Sequence, residues 1–152
     1  MSETAKPPLI AHIVVDDIPD ALDFYAKAFA AEELFRMPLP DGSGHMHAEM
    51  RINGATVMLA ETNDMMGCAG PKQIGGTPVT LHLNVPDVDA AYQKAVDAGC
   101  EAAMPPSDMF WGDRYGRMVD PFGHNWSLAT HTKDMTPEEI AEAAKSAFAD
   151  GG

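Results

Sequence analysis

The sequence predicts an α+β fold in which two βαβββ modules form one domain and a C-terminal helix follows them. The first observation is a repeat: the strand-like segment around His12 returns around His82, an offset of 70 residues. The second is a repeated turn, because Gly54 and Gly123 each separate two strand-like segments at an offset of 69 residues. A near-constant offset indicates a duplicated module. The third is the length of 152 residues, which is enough for one core shared by both halves, whereas each half alone would be marginal.

The first module is predicted over residues 8–62 and begins with a β-branched, apolar strand. Asp17 can cap the following helix, whose apolar residues recur with helical spacing. A later alternating segment turns at Asn53-Gly54, which is a strong signal for a two-residue hairpin. The predicted elements are a strand at Leu9–Val15, the helix up to Phe29, and strands at Glu33–Met37, His45–Ile52 and Ala55–Ala60.

The second module is predicted over residues 78–131, after a linker at 63–77 that is rich in glycine and proline. Asp87 can cap its helix. A capping box at Thr136–Glu139, with proline at the first helical position, predicts a C-terminal helix over 136–149. The predicted strands of this module are Thr80–Val85, Glu101–Met104, Arg114–Val119 and His124–Thr130, with a loop at 105–109.

The composition excludes several classes of function. Lysine and arginine number 10 against 23 acidic residues, and the net charge of −13 repels phosphate backbones and anionic membranes. No apolar run approaches the roughly 20 residues of a membrane helix. We therefore expect no nucleic-acid partner and no membrane partner. The N-terminus lacks the apolar stretch of a signal peptide and the two cysteines form no redox motif, so we expect a cytoplasmic protein.

Several motifs resemble those of a known superfamily. They are Met109–Arg117, the segment from Asp120-Pro121-Phe122-Gly123 to His131, and Asp23-Phe24-Tyr25 on the first helix. Together with the duplication, they resemble the vicinal-oxygen-chelate superfamily of glyoxalase I, bleomycin- and fosfomycin-resistance proteins and extradiol dioxygenases, in particular its PhnB-like branch. The resemblance covers about residues 8–135. It implies eight strands in a curved sheet around one cleft, ligands supplied by both modules, and a homodimer.

In metal-dependent members of this superfamily, each module supplies one metal ligand from its first strand and one carboxylate from its last strand. The metal then acts as a Lewis acid on two adjacent substrate oxygens. By the family spacing, these four positions hold Ile10, Met58, Thr80 and Ser127. Isoleucine cannot bind a metal, methionine prefers soft metals, and hydroxyls are poor ligands without carboxylates nearby. The resemblance therefore implies a fold without its usual metal site, and we expect no metal and no cofactor.

Two histidines offer a shifted site. His12 and His82 lie two residues beyond Ile10 and Thr80, and strand alternation places each histidine on the same face as the family ligand position. One interpretation is a paired-histidine site with catalytic acid–base or metal-binding roles. The other is that each histidine is hydrogen-bonded and stabilises the joint between the modules.

The first module has further polar residues near its predicted strand ends and in its third strand. Glu61 lies three residues from Met58, so it is expected on the opposite face as a solvated acid at a strand end. His47 and Glu49 share a face, where they could act as base and orienter. Arg51 on that same face favours an exposed pair of charges instead.

The predicted binding residues belong mainly to the second module. Trp111, Arg114 and Tyr115 combine aromatic rings with a guanidinium after a Pro-Pro loop, a set that could clamp a planar or anionic ligand. The alternative is that Trp111 only caps the shared core. Hydroxyl and amide groups for the same cleft would come from Thr80, Asn125 and Ser127.

We therefore expect a small-molecule-binding protein that lacks the usual divalent-metal site. The alternative is a metal-dependent lyase, isomerase or dioxygenase whose shifted site involves His12 and His82. A third hypothesis is a scaffold whose cleft is filled by side chains. That arrangement would be costly, because it buries polar groups without water or ligand.

Overall fold

The computed structural model describes residues 6–150, so both ends of the predicted 1–152 domain lie outside the described residues. The first module comprises β1 (Ala11–Val15), α1 (Ile18–Phe29), β2 (Glu32–Pro38), β3 (His45–Ile52) and β4 (Ala55–Glu61). A linker with a 3₁₀ turn (Asp64–Met66) and the short helix α2 (Pro71–Ile74) follows. The second module comprises β5 (Thr80–Asn84), α3 (Val88–Ala98), β6 (Glu101–Asp108), β7 (Asp113–Val119) and β8 (Asn125–His131), and α4 (Pro137–Asp150) comes last. Within residues 6–150, no helix is long and apolar enough to span a membrane.

The two modules have the same strand order. The sheets are ordered β1-β4-β3-β2 and β5-β8-β7-β6, and in each module the first strand pairs in parallel with the last while the other pairs are antiparallel. The predicted eight strands, repeated βαβββ order and C-terminal helix are confirmed. The eight strands form two four-stranded sheets, each with its own hydrogen-bonded ladder.

One predicted loop is a strand. Residues 105–109 were expected to be irregular, whereas β6 continues to Asp108. The pairing register with β7 shifts on both sides of Met104 and around Pro105 and Pro106. Proline cannot donate to the ladder and is tolerated at sheet edges and irregularities, which is where β6 lies.

The core lies on one side of each sheet, where α1 and α3 pack against the sheets and against each other. Alternation along β1 buries Ile13 and Val15 against the helices and leaves His12 exposed on the other side. We call this other side of each sheet its open face. The largest fully buried side chains include Trp126, Tyr25, Ile18, Met50 and Ile52.

A buried carboxylate joins the first helix to the second module. Asp120 is 4% exposed and accepts hydrogen bonds from the Tyr25 hydroxyl at 2.5 Å and the Trp126 indole at 2.8 Å. It also accepts from the backbone N–H groups of Phe122 and His124 at 2.9 and 3.0 Å. Burial, reinforced by the Asp120 carboxylate, raises the pKa of Tyr25 well above its usual value. The motifs that carry the family resemblance on α1 and before β8 therefore meet at one hydrogen-bonded joint.

Each module also bonds to the first strand of the other. The Asn53 amide at the β3–β4 hairpin donates to the Asn84 carbonyl at 2.9 Å. The His124 Nε2 after the β7–β8 turn donates to the Val14 carbonyl at 2.8 Å. The acceptors differ by 70 positions and the donors by 71, so these bonds are equivalent under the duplication. They fix the edges of β1 and β5 relative to the opposite module.

The end of each last strand holds the start of the helix in its own module. The Ile18 N–H donates to the Glu61 carboxylate at 2.8 Å, and the Val88 N–H donates to the Thr130 hydroxyl at 2.7 Å. Glu61 also accepts from the His45 N–H at 3.0 Å. Glu61 was predicted to be solvated, and this is wrong because its carboxylate is bonded to two backbone N–H groups. It was also predicted on the face opposite Met58, and its contact with α1 agrees with that.

Candidate functional site

The open face of the second module centres on His82. Its Nδ1 lies 2.7 Å from the Ser127 hydroxyl, and its Nε2 lies 3.0 Å from the Asn84 side-chain oxygen. An amide oxygen only accepts, so with this amide orientation Nε2 carries the proton. In the neutral ring, Ser127 then donates to Nδ1. Two side chains on neighbouring positions therefore fix both the ring orientation and the tautomer of His82.

Aromatic rings extend this face beyond His82. Tyr115 stacks on the His82 ring at a centroid distance of 6.1 Å and an interplanar angle of 19°. Trp111 meets Tyr115 edge-on at 5.7 Å, and its indole N–H donates to Asp113 at 3.1 Å. Trp111 and Tyr115 are half-buried and the His82 ring is exposed, and the three rings form a wall that can contact a planar ligand.

The predicted hydroxyl and amide groups lie on the same face. Thr80 pairs with Asn125 across β5 and β8, one step along from the pair His82–Ser127. The Asn125 amide donates to the Thr77 carbonyl at 3.2 Å, which leaves its side-chain oxygen as an acceptor. Ser127 is 2% exposed beneath His82, so its role here is to position the histidine.

Arg114 does not join this set, which corrects the predicted clamp. Its guanidinium binds Asp89 at the start of α3 at 3.0 Å and Asp108 at 3.3 Å, on the helix side of the sheet. The physical reason is alternation along β7: Tyr115 faces the open side, so its neighbour faces the helix. Hydrogen bonding to Asp89 raises the pKa of Arg114 further.

The sequence prediction missed Arg117, two residues beyond Tyr115. Arg117 lies directly opposite Ser127 in the β7–β8 ladder, and residues opposite each other share a face. Its side chain is exposed, with no ion pair among the described residues. The period-two pattern running from Tyr115 would have identified it. We call this candidate set the binding face; it comprises Thr80, His82, Trp111, Tyr115, Arg117, Asn125 and Ser127.

The open face of the first module carries a different cluster. His12 meets His47 edge-on at a centroid distance of 5.5 Å, and the His47 Nε2 lies 3.0 Å from the Glu49 carboxylate. Partial burial and the neighbouring His47 lower the pKa of His12, and Glu49 partly offsets this. The predicted pairing of His47 with Glu49 is present. His12 and His82 have separate partners on separate sheets.

The spacing assigned Ile10, Met58, Thr80 and Ser127 to the four family ligand positions. Met58 lies beside His12 in the β1–β4 ladder, and Ser127 lies beside His82 in the β5–β8 ladder. A hydrocarbon side chain, a thioether and two hydroxyls provide no carboxylate or imidazole at these positions, so they do not fit a divalent metal. Across residues 6–150, no group of three or more histidine, cysteine, aspartate or glutamate side chains is placed to hold a metal ion.

Comparisons with known proteins agree in fold. The chain matches the family model of the Glyoxalase/Bleomycin resistance protein/Dioxygenase superfamily over residues 9–128. The uncharacterised protein Mb0911c of Mycobacterium bovis is 49% identical over 155 aligned positions, which cover 99% of this chain and 100% of the relative. The crystal structure of TioX from Micromonospora sp. ML1 is similar with a TM-score of 0.65 at 26% identity, covering 83% of this chain and 99% of TioX. A PhnB protein from Bacillus cereus has a TM-score of 0.62 at 15% identity, covering 82% and 99%, which is a likeness of fold alone.

Proposed function

Because this chain belongs to the glyoxalase/bleomycin resistance protein/dioxygenase superfamily, we propose that it is a small-molecule-binding protein without the usual divalent-metal site. One observation carries the proposal: the position of a family carboxylate is Ser127, and Ser127 is buried and bonded to His82. A residue used in this way orients an imidazole for a ligand and supplies no charge to a metal. The metal-dependent alternative needs His12 and His82 to share an ion, and their separate partners on different sheets favour binding.

The proposed ligand has a planar part and a hydrogen-bond acceptor. Tyr115 and Trp111 offer ring surface, and an aromatic contact contributes about 0.5–1.5 kcal/mol beyond the area it buries. Arg117 is the guanidinium nearest to this surface along β7 and can bind a carbonyl or carboxylate. Exposed polar groups on the face also argue against a cleft filled by the protein's own side chains, since Thr80 and His82 are both exposed.

We also propose a homodimer in which a second copy covers an open face. The support is the exposed apolar surface on the edge strand β2, where Phe35 is 48% exposed and Met37, two residues along the same strand, is 37% exposed. Static light scattering should return twice the chain mass.

We also propose a cytoplasmic location. Both cysteines are free thiols, which supports it.

The binding proposal is tested with 2-naphthoate, a planar probe that carries one carboxylate. Protein-observed NMR titration should shift the amide signals of Tyr115 and Arg117 on β7. Arg117→Gln should weaken binding by about tenfold, which corresponds to the loss of one charge-assisted hydrogen bond. Arg114→Gln is the matched control, because it removes the same charge from the same strand on the opposite face.

The proposal predicts different affinities for 2-naphthoate in the two variants. Unchanged affinity in Arg114→Gln together with weaker binding in Arg117→Gln supports the binding face. Equal losses in both variants would show that only the total charge matters, and shifts confined to the open face of the first module would place the site there.

A further inference from the structure

A cavity of about 350 Å³ lies at the junction of the modules, and none of its lining residues belongs to the binding face. Its walls are the edge strand β1 on one side and the segment at Val79 and Leu81, leading into β5, on the other. The linker helix α2 and His124 complete it. A volume of this size lies at the lower end of the range for small-molecule sites in proteins, which is about 300–1,000 Å³.

The lining of this cavity carries no acidic residue, lysine or arginine. The whole chain carries 33 such residues, 10 basic and 23 acidic, so their absence from the lining distinguishes this cavity from the rest of a charged molecule. Alanine, valine, isoleucine, leucine and proline side chains form most of the wall, and the polar groups are His12, Thr77 and His124. Because the His124 Nε2 donates to the Val14 carbonyl, the neutral ring keeps Nδ1 as an acceptor. The cavity therefore offers apolar contact and a few uncharged hydrogen-bonding groups.

The linker covers the cavity, and it packs closely against the rest of the protein at two points. A Cβ at Gly70 would lie 3.2 Å from the Val14 carbonyl oxygen, so the chain before α2 rests directly on β1. A Cβ at Gly123 would lie 2.8 Å from the Pro71 Cβ, so the start of α2 rests on the β7–β8 turn. Because glycine has no side chain, the linker can pack over the cavity at both points. The glycine- and proline-rich linker of the sequence thus has a structural use as a cover.

Large apolar side chains remain exposed where this cover ends. Ile74 in α2 is 67% exposed and Val79 before β5 is 59% exposed, and both line the cavity. Exposed apolar groups beside an apolar cavity are a favourable contact for a ligand that enters it, because binding would remove them from water.

A second cavity supplies an internal comparison. It also has a volume of about 350 Å³, and it is lined by Leu83 and Val85, by the end of α1 and by Asn53, which donates to β5 of the other module. That cavity is lined by Asp87 and Lys94, and no linker residue covers it. Of these two cavities, the first combines a cover with a lining that has no acidic residue, lysine or arginine.

We propose that the cavity between β1 and β5 is a second binding site, for a neutral and mostly apolar small molecule that carries one hydrogen-bonding group. It goes beyond the function proposed above, since Tyr115, Trp111 and Arg117 do not line it. An anionic ligand would lose its hydration there without gaining a cationic partner, so charge is selected against.

The test uses N-phenyl-1-naphthylamine, a neutral fluorophore with one N–H donor. Its fluorescence should rise to saturation at one probe per chain. The related 8-anilinonaphthalene-1-sulfonate has the same rings and one negative charge, and it should bind at least about tenfold more weakly. Ile74→Glu places a carboxylate at the cavity mouth and should weaken binding of the neutral probe by about tenfold or more.

Two controls locate the probe. Ala90→Glu adds the same charge at the second cavity, where Ala90 is exposed, and Tyr115→Ala alters the binding face. Both variants should keep wild-type affinity for N-phenyl-1-naphthylamine. The absence of saturable binding to the folded wild type would overturn the proposal, as would equal losses in Ile74→Glu and Ala90→Glu. Loss in Tyr115→Ala would place the probe on the binding face and also overturn it, whereas failure of the 2-naphthoate experiment would leave this site unaffected.

Discussion

His12 and His82 occupy equivalent positions of the two modules, yet their surroundings differ. Each lies on the open face of a first strand, beside a residue of the last strand in the same parallel ladder. That neighbour is Met58 in the first module and Ser127 in the second. The hydroxyl fixes His82 by a 2.7 Å hydrogen bond, whereas His12 contacts the ring of His47 instead. Exchanged neighbours, with Ser127 in place of Met58 and Asn84 in place of Val14, therefore give two equivalent histidines different hydrogen-bond partners.

The side chains that bond the start of each helix also differ between the modules, although the backbone groups that they bond are equivalent. The first N–H of each module's helix is bonded in both cases, by the Glu61 carboxylate in one module and the Thr130 hydroxyl in the other. Duplication has kept the backbone donors and acceptors that define the fold. The side chains that satisfy them are free to change, provided that they reach the same backbone group.

The largest expected effect is on the free energy of unfolding, and it concerns the hydrogen-bonded joint at Asp120 in the second module. Asp120→Ala should lower the free energy of unfolding by about 3–5 kcal/mol, because each buried donor left without a partner costs about 1–3 kcal/mol. By the repeat offset, Arg51 is the equivalent position in the first module, and it makes only an exposed ion pair with Glu32 at 3.9 Å. Arg51→Ala should change stability by less than about 0.5 kcal/mol. Equilibrium unfolding in urea measures both, and similar losses would contradict the asymmetry.

A smaller effect is expected at the two helix starts. Glu61→Ala removes the acceptor of two backbone N–H groups and should cost about 2 kcal/mol. Thr130→Val keeps the side-chain volume but removes the hydroxyl partner of the Val88 N–H and of the Val85 carbonyl, and because both hydrogen bonds are neutral it should cost about 1–1.5 kcal/mol. Urea unfolding of the two variants compares the modules directly. A larger loss in Thr130→Val than in Glu61→Ala would reverse the ranking.

The smallest expected effect is on proton binding by His12. An NMR titration of the ring nitrogens should give His12 a pKa below its usual value of about 6.5, because of partial burial and the nearby His47. Since the folded-state pKa lies below the unfolded value, the unfolded chain binds the proton first, and stability is lost as pH falls through about 6.5 toward the folded pKa.

Two other groups calibrate that titration. Glu49→Gln should lower the pKa of His12 further, because Glu49 raises it in the wild type. His131, which is hydrogen-bonded to Asp113 and Asp134, should titrate above its usual value. A His12 pKa above that of His131 would contradict the difference in surroundings.

Patterns local in sequence were sufficient for the fold and for part of the site. The repeat offset and strand alternation predicted a shared face for His12 and His82 with the family ligand positions, whereas Tyr115 was proposed from its residue type and its position after the Pro-Pro loop. Alternation was not applied along β7, so Arg114 was assigned in place of Arg117. The bonds of Asp120 to Tyr25 could not be read from the sequence, because they join residues 95 positions apart through tertiary packing. The same limit applies to Glu61, whose burial depends on the seating of α1.

The proposed absence of the usual metal site is tested most directly by metal analysis of the intact protein. Protein purified without chelators would be incubated with zinc, nickel, manganese or iron in turn, passed through a desalting column and analysed for bound metal. With Ile10, Met58, Thr80 and Ser127 at the four positions, we expect no divalent metal near one equivalent per chain. Near-equimolar metal in the wild type that disappears in His82→Ala would contradict the proposed binding function and support a metal site at His82.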